Sequence, residues 1–127
     1  MKARIALLRA MGTPRPYQET RPIEIVEAEL DDPGFGEVRV KMAAAGLCHS
    51  DLSVINGDRP RDMPVALGHE ASGVIEAVGP GVTRFTPGDH VVLVFVPSCG
   101  HCVPCASGRP ALCEPGAAAA GKGTLLA

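Results

Sequence analysis

Four cysteines, Cys99, Cys102, Cys105 and Cys113, follow one another as Cys-x2-Cys-x2-Cys-x7-Cys between Pro97 and Glu114. A zinc ion held by four thiolates is tetrahedral, with Zn–S bonds near ~2.3 Å, so its ligands must come from a backbone that doubles back sharply. The turn formers Gly100, Pro104, Gly108 and Pro110 lie between the cysteines and allow this. The spacing therefore points to a closed, structural zinc site. The opening Cys-x2-Cys-x2-Cys also occurs in iron–sulfur motifs, which would make the chain an electron-transfer module. Here the fourth cysteine stands seven residues on and the next proline is Pro115, not the residue after Cys113, which favours zinc.

A second constellation lies upstream: Cys48-His49-Ser50-Asp51, then Gly68-His69-Glu70. Cysteine and histidine ligate zinc, and a nearby carboxylate can orient a ligating imidazole or approach the metal itself. Taken singly, Cys48 is equally a small buried hydrophobe and His69 a hydrogen-bonded core histidine. A third metal-free candidate, Gly116 to Gly123, has the Gly-x4-Gly-Lys spacing of a phosphate loop, but Gly123 stands where a Mg²⁺-binding Ser or Thr belongs and no strand precedes it. It is set aside as a phosphate site.

The chain that must position these groups has 127 residues, enough for one domain with a core of its own. Apolar residues make up 46% of it and aromatics only 3%, so the core is packed from Val, Ile, Leu, Met and Ala, and no aromatic platform for stacking bases exists. A formal charge of -2 without a Lys/Arg block argues against nucleic acid and against a membrane surface. The longest apolar run, Val91 to Val96, falls far short of the ~20 residues a membrane-spanning helix needs. Arg4 and Arg9 bracket an apolar segment too short for a secretory signal. The expected location is cytoplasmic, where thiols stay reduced and five cysteines serve as ligands rather than disulfides.

Short Val/Ile/Leu-rich runs at Lys2–Arg9, Ile23–Leu30, Glu37–Ala45, Ser72–Val78 and His90–Val96 are separated by Gly/Pro/Asp turns, which predicts strands. In Glu37 to Met42 the valines and the methionine alternate with charged residues, as on a half-buried sheet. The fold class is mainly β, an antiparallel barrel or sandwich. One or two helical turns are expected over Ser50–Ile55, stopped by Asn56-Gly57. Residues 1–115 form the domain, the cysteine lobe occupies about 95–115, and the Ala/Gly-rich 116–127 reads as a linker.

The order Gly46-Leu47-Cys48-His49-Ser50-Asp51, Gly68-His69-Glu70, Gly88-Asp89-His90-Val91 and the four-cysteine loop resembles the N-terminal half of zinc-dependent alcohol dehydrogenases of the medium-chain dehydrogenase/reductase family. The resemblance implies a GroES-like β-barrel. It implies that Cys48 and His69 hold a catalytic zinc with Glu70 as an alternate ligand, that Asp51 fixes the tautomer of His69, and that Ser50 relays the substrate proton. It places His49 near the cofactor pyrophosphate, and gives Cys99, Cys102, Cys105 and Cys113 to the structural zinc. Many members carry a histidine three residues after the Ser50 position to complete the proton relay; here the residue is Ser53, so the relay ends in water or in another group.

The implied reaction oxidises a small alcohol to an aldehyde or ketone, with hydride passed to NAD or NADP. No Gly-x-Gly-x-x-Gly fingerprint between a strand and a helix occurs in these residues, so the Rossmann cofactor domain is expected outside them, together with the third ligand of the catalytic zinc. On that reading the 127 residues alone are inactive and hold the catalytic metal weakly. A homo-oligomer is an additional expected partner, and a non-catalytic GroES-like scaffold is the rival reading.

Overall fold

The computed structural model describes residues 1–122. Strand β1 (Lys2–Leu8) is the centre of the first sheet, flanked by β2 (Ile23–Glu29) and β4 (Val65–Leu67), both antiparallel to it. The inner end of β1 carries the buried pair Leu7 and Leu8, whereas its solvent face meets β2 through the exposed ion pairs Lys2–Glu27 (2.7 Å) and Arg9–Glu24 (3.0 Å). Such exposed pairs contribute little stability, but rows of charge along β2 keep that edge strand from pairing with another chain.

The second sheet has the order β3 (Val38–Ala45), β5 (Ala71–Val78), β6 (His90–Val92), again antiparallel. Its register runs from Val38 opposite Val78 to Ala45 opposite Ala71, with irregularities at Arg39/Val40 and Met42/Ala44 that bend β3 as barrel-like sheets require. Ile75 on the central strand is almost fully buried.

The runs expected as strands are all strands, with one shortened: His90–Val96 pairs only over His90–Val92. The three-residue β4 went unnoticed, because Val65-Ala66-Leu67 is too brief to show a period. Helix α1 (Tyr17–Thr20) was also missed, hidden among prolines.

Helix α2 (His49–Asn56) begins one residue earlier than expected, with Cys48 extended at its N-cap. It ends as expected at Gly57, whose φ of 87° is left-handed and whose N–H bonds Val54 O at 3.0 Å. Val54 and Ile55 anchor α2 against Leu8, with Met11, Tyr17, Met63, Val65 and Leu67 packed around them. The functional tetrapeptide at the start of α2 is therefore held by a helix whose far end is nailed into the main core.

Beyond the second sheet, α3 (Val103–Ala106) and a 3₁₀ turn (Pro110–Leu112) form the cysteine lobe, followed by α4 (Glu114–Lys122). The stretch expected as a linker is thus helical as far as Lys122, because the alanine run after Glu114 has high helix propensity. Residues 116–122 of the phosphate-loop spacing lie within that helix, with the N–H of Gly116 aimed at Cys113 Sγ and that of Ala117 at Cys113 O rather than into a phosphate cradle; Gly123 lies outside the described residues.

Candidate functional site

In the cysteine lobe the four Sγ atoms all lie within 4.8 Å of one another. A tetrahedron with arms near ~2.3 Å has edges of about 3.8 Å, and Cys102 Sγ stands 3.9 Å from Cys113 Sγ. That span suits one ion, whereas a [4Fe–4S] cage sets its thiolates on separate irons. Backbone N–H groups aim at the sulfurs: Cys102 N–H at Cys99 Sγ, and both Cys99 N–H and Gly116 N–H at Cys113 Sγ, each at 3.3 Å. Donors of this kind stabilise negative sulfur. The N–H groups of His101 and Cys102 hold the Cys99 thiol down to about 6, while burial pushes Cys105 up to about 11. Cys113 is fully buried beneath the first turn of α4, so this helix seals the lobe.

The second cluster is assembled from two segments. Cys48, Ser50 and Asp51 come from the N-terminus of α2, and His69 and Glu70 from the turn between β4 and β5. One donor atom each from Cys48, His69 and Glu70 lie within 4.8 Å of one another. The Asp51 carboxylate stands 3.2 Å from His69 Nδ1. It accepts the Nδ1–H, which leaves the lone pair on Nε2 facing Cys48. Ser50 Oγ is 3.2 Å from both Cys48 Sγ and His69 Nε2, so the hydroxyl sits where a reacting oxygen bound by those donors would touch it. Thiol, imidazole and carboxylate together form a donor set suited to zinc, and three protein donors leave a tetrahedral ion one open position.

His49 stands apart from this cluster, exposed on the outer side of α2. Its carbonyl accepts a bond from Ser53 Oγ at 3.2 Å, so the serine that replaces the expected relay histidine is turned back onto its own helix. Glu70 is exposed, and its carboxylate lies against Gly46, the glycine that precedes Leu47 and Cys48.

A cleft of about 510 Å³ opens beside the cluster, lined by Ser50, Asp51, His69, Val54, Leu67 and Phe95 among others. The Phe95 ring packs on the His69 imidazole with centroids 4.8 Å apart. The guanidinium carbon of Arg59 lies 5.0 Å from the centroid of the same Phe95 ring, and Arg61 also lines the cleft. Phe95, Arg59 and Arg61 escaped the sequence reading, because their partners are remote along the chain. The one available signal was two arginines in a loop directly after the glycine that ends α2.

The model of the alcohol dehydrogenase GroES-like domain matches residues 34–126. The chain belongs to this family. An NDMA-dependent alcohol dehydrogenase of Amycolatopsis methanolica is 52% identical over 117 residues, a match covering 92% of this chain and 29% of that protein. Among solved structures, an alcohol dehydrogenase zinc-binding domain protein from Burkholderia ambifaria is similar with a TM-score of 0.80 at 42% identity, covering 93% of this chain and 30% of that one. A thermostable alcohol dehydrogenase from Pyrobaculum aerophilum with bound cobalt and zinc is similar with a TM-score of 0.71 at 37% identity, covering 91% and 33%. The GroES-like chain thus spans about a third or less of the length of these relatives. The mainly β architecture expected from periodicity is that of the family, and no helix among the described residues is long and apolar enough to cross a membrane.

Proposed function

We propose that this GroES-like domain is the zinc-binding, substrate-side half of an NAD(P)-dependent alcohol dehydrogenase. The observation that supports this most is the convergence of Cys48, His69 and Glu70 beside a cleft, with Ser50 in contact with two of the three donors and a separate four-thiol lobe elsewhere. Cys48 and His69 would hold the catalytic zinc with Glu70 as its alternate ligand, and Cys99, Cys102, Cys105 and Cys113 would hold the structural one.

Zinc bound at the open site supplies Lewis acidity that brings a hydroxyl pKa toward neutrality. The chain's own residues do the rest. Asp51 keeps the His69 ring in one tautomer and one orientation through the 3.2 Å contact at Nδ1. Ser50 Oγ accepts the substrate's hydroxyl proton and passes it to water in the cleft, since Ser53 is engaged with the His49 carbonyl. A nicotinamide bound in the longer enzyme would supply the hydride acceptor, so that loss of one proton and one hydride converts the alcohol to a carbonyl compound. Val54, Leu67 and Phe95 keep bulk water from the apolar side of the cleft.

In the longer enzyme residues 1–115 form the catalytic domain with the lobe at 95–115, and 116–127 lead toward the Rossmann domain. His49, exposed at the start of α2, would be available to the cofactor pyrophosphate. The enzyme works in the cytoplasm, consistent with five free thiols, and assembles as a homo-oligomer.

Elemental analysis of the purified 127-residue chain tests the assignment. Zinc is held tightly by the lobe and more weakly at the open site, and replacing both Cys48 and His69 by Ala removes only the weaker fraction. Metal content unchanged by that double substitution favours the scaffold reading. The chain alone is expected to show no alcohol-dependent NAD(P) reduction, and turnover appears once the cofactor domain is joined to it.

A further inference from the structure

We infer that the cleft takes an alcohol or aldehyde carrying a carboxylate, anchored by Arg59 and Arg61. This rests on the proposed reaction and names the substrate class of the same site. Both arginines line the cleft that contains Ser50, Asp51 and His69. Lys2, Arg9 and Arg39 are each engaged by a carboxylate, Arg39 by Asp32 at 2.7 Å and Glu76 at 3.6 Å. Among the described residues no carboxylate lies within 4.0 Å of Arg59 or Arg61. Two guanidinium groups without an ion-pair partner among the described residues, beside the apolar wall of the cleft, attract an anion.

The packing of Arg59 also leaves it able to bind one. Its guanidinium carbon is 5.0 Å from the centre of the Phe95 ring, a cation–π contact that holds the side chain beside the cleft. Among the described residues no carboxylate takes its N–H donors, whose fork geometry grips a carboxylate through two parallel bonds. Phe95 in turn packs on His69 at 4.8 Å. The two contacts in series fix the guanidinium within about 10 Å of the imidazole, whatever the angle between them. A short molecule therefore reaches from the Cys48–His69 donors to Arg59, with a hydroxyl at one end and a carboxylate at the other. The apolar wall formed by Val54, Val65 and Leu67 faces the methylene groups between.

The test is binding, measured by ¹H–¹⁵N NMR on the zinc-loaded chain with 4-hydroxybutyrate, with the neutral pentan-1-ol of similar length, and with NADP⁺ in a third arm. The expected result is about tenfold tighter binding of 4-hydroxybutyrate than of pentan-1-ol, with shifts at Arg59, Arg61 and His69 and a preference that weakens as salt is added. Arg59→Gln and Arg61→Gln together bring the ratio of the two affinities toward one, and Arg59→Lys, which keeps charge but not the fork, restores it in part. Equal binding of the two ligands, no binding of the carboxylate, or a ratio that survives the double substitution overturns the inference. So does an arginine dependence confined to NADP⁺, which would make the anion a cofactor phosphate. Failure of the underlying reading looks different: the carboxylate would still bind through the arginines, but His69→Ala would change neither metal content nor the affinity for pentan-1-ol.

Discussion

The cysteine lobe and the Cys48–His69 cluster draw on the same donor chemistry and are built in opposite ways. In the lobe all ligands come from one short segment, Cys99 and Cys113 being only fourteen positions apart, and the sulfurs are closed in by backbone N–H groups and by α4. In the cluster, Ser50 and His69 stand nineteen positions apart on separate elements, the donors are of three kinds, and a cleft opens beside them. A site made by local chain folding satisfies its ion completely and serves stability. A site made by docking a helix against a sheet leaves an unfilled direction, which is what substrate chemistry requires.

The largest effect that would sharpen this contrast is expected from Cys113→Ala. Structural zinc is worth on the order of 10–16 kcal/mol in finger peptides, so loss of the buried central sulfur should melt the lobe and the start of α4. The strands should persist, because the cores around Leu8 and Ile75 draw on other elements. Circular dichroism with hydrogen exchange would show protection lost only after about residue 95; loss throughout both sheets would mean the two regions are not separable.

Asp51→Asn should act on the other region alone. Removing the carboxylate charge behind His69 is expected to weaken metal binding at the open site by roughly 10- to 100-fold, read by competition with a chromophoric chelator, while the lobe keeps its ion. Equal weakening at both sites would break the comparison.

The smallest effect is one of pH in the metal-free chain. Cys99 is held down to about 6 from an ordinary 9.0, so the unfolded chain binds its proton more tightly than the folded loop does; this contribution is complete above 9 and is lost as pH falls through about 6. Cys105, raised to about 11, contributes below 9 and loses that contribution as pH rises through about 11. Alkylation followed by mass spectrometry near pH ~7.5 should label Cys99 first and Cys105 last. Indistinguishable rates would show that the loop does not hold its N–H groups on Cys99 without metal.

Much of this was legible beforehand, and unevenly. Ile23–Glu29, Val38–Ala45 and Ala71–Val78 announced themselves by alternation and bounding turns, while Val65–Leu67 was too short to do so. The resemblance put Asp51 behind His69, and the two side chains lie 3.2 Å apart. The turning of Ser53 onto the His49 carbonyl was not foreseeable, because it depends on the rotamer a helix imposes.

Residue types and spacing alone marked the four cysteines as a candidate metal lobe and the chain as β-rich, because each is encoded over a few neighbouring residues. Only the tertiary structure decided that the Ala/Gly stretch after Glu114 caps the lobe as a helix, and that Arg59 stacks on Phe95 while Phe95 packs on His69. Those contacts join loops distant along the chain, and such distances become short only when both sheets and α2 have closed on their cores.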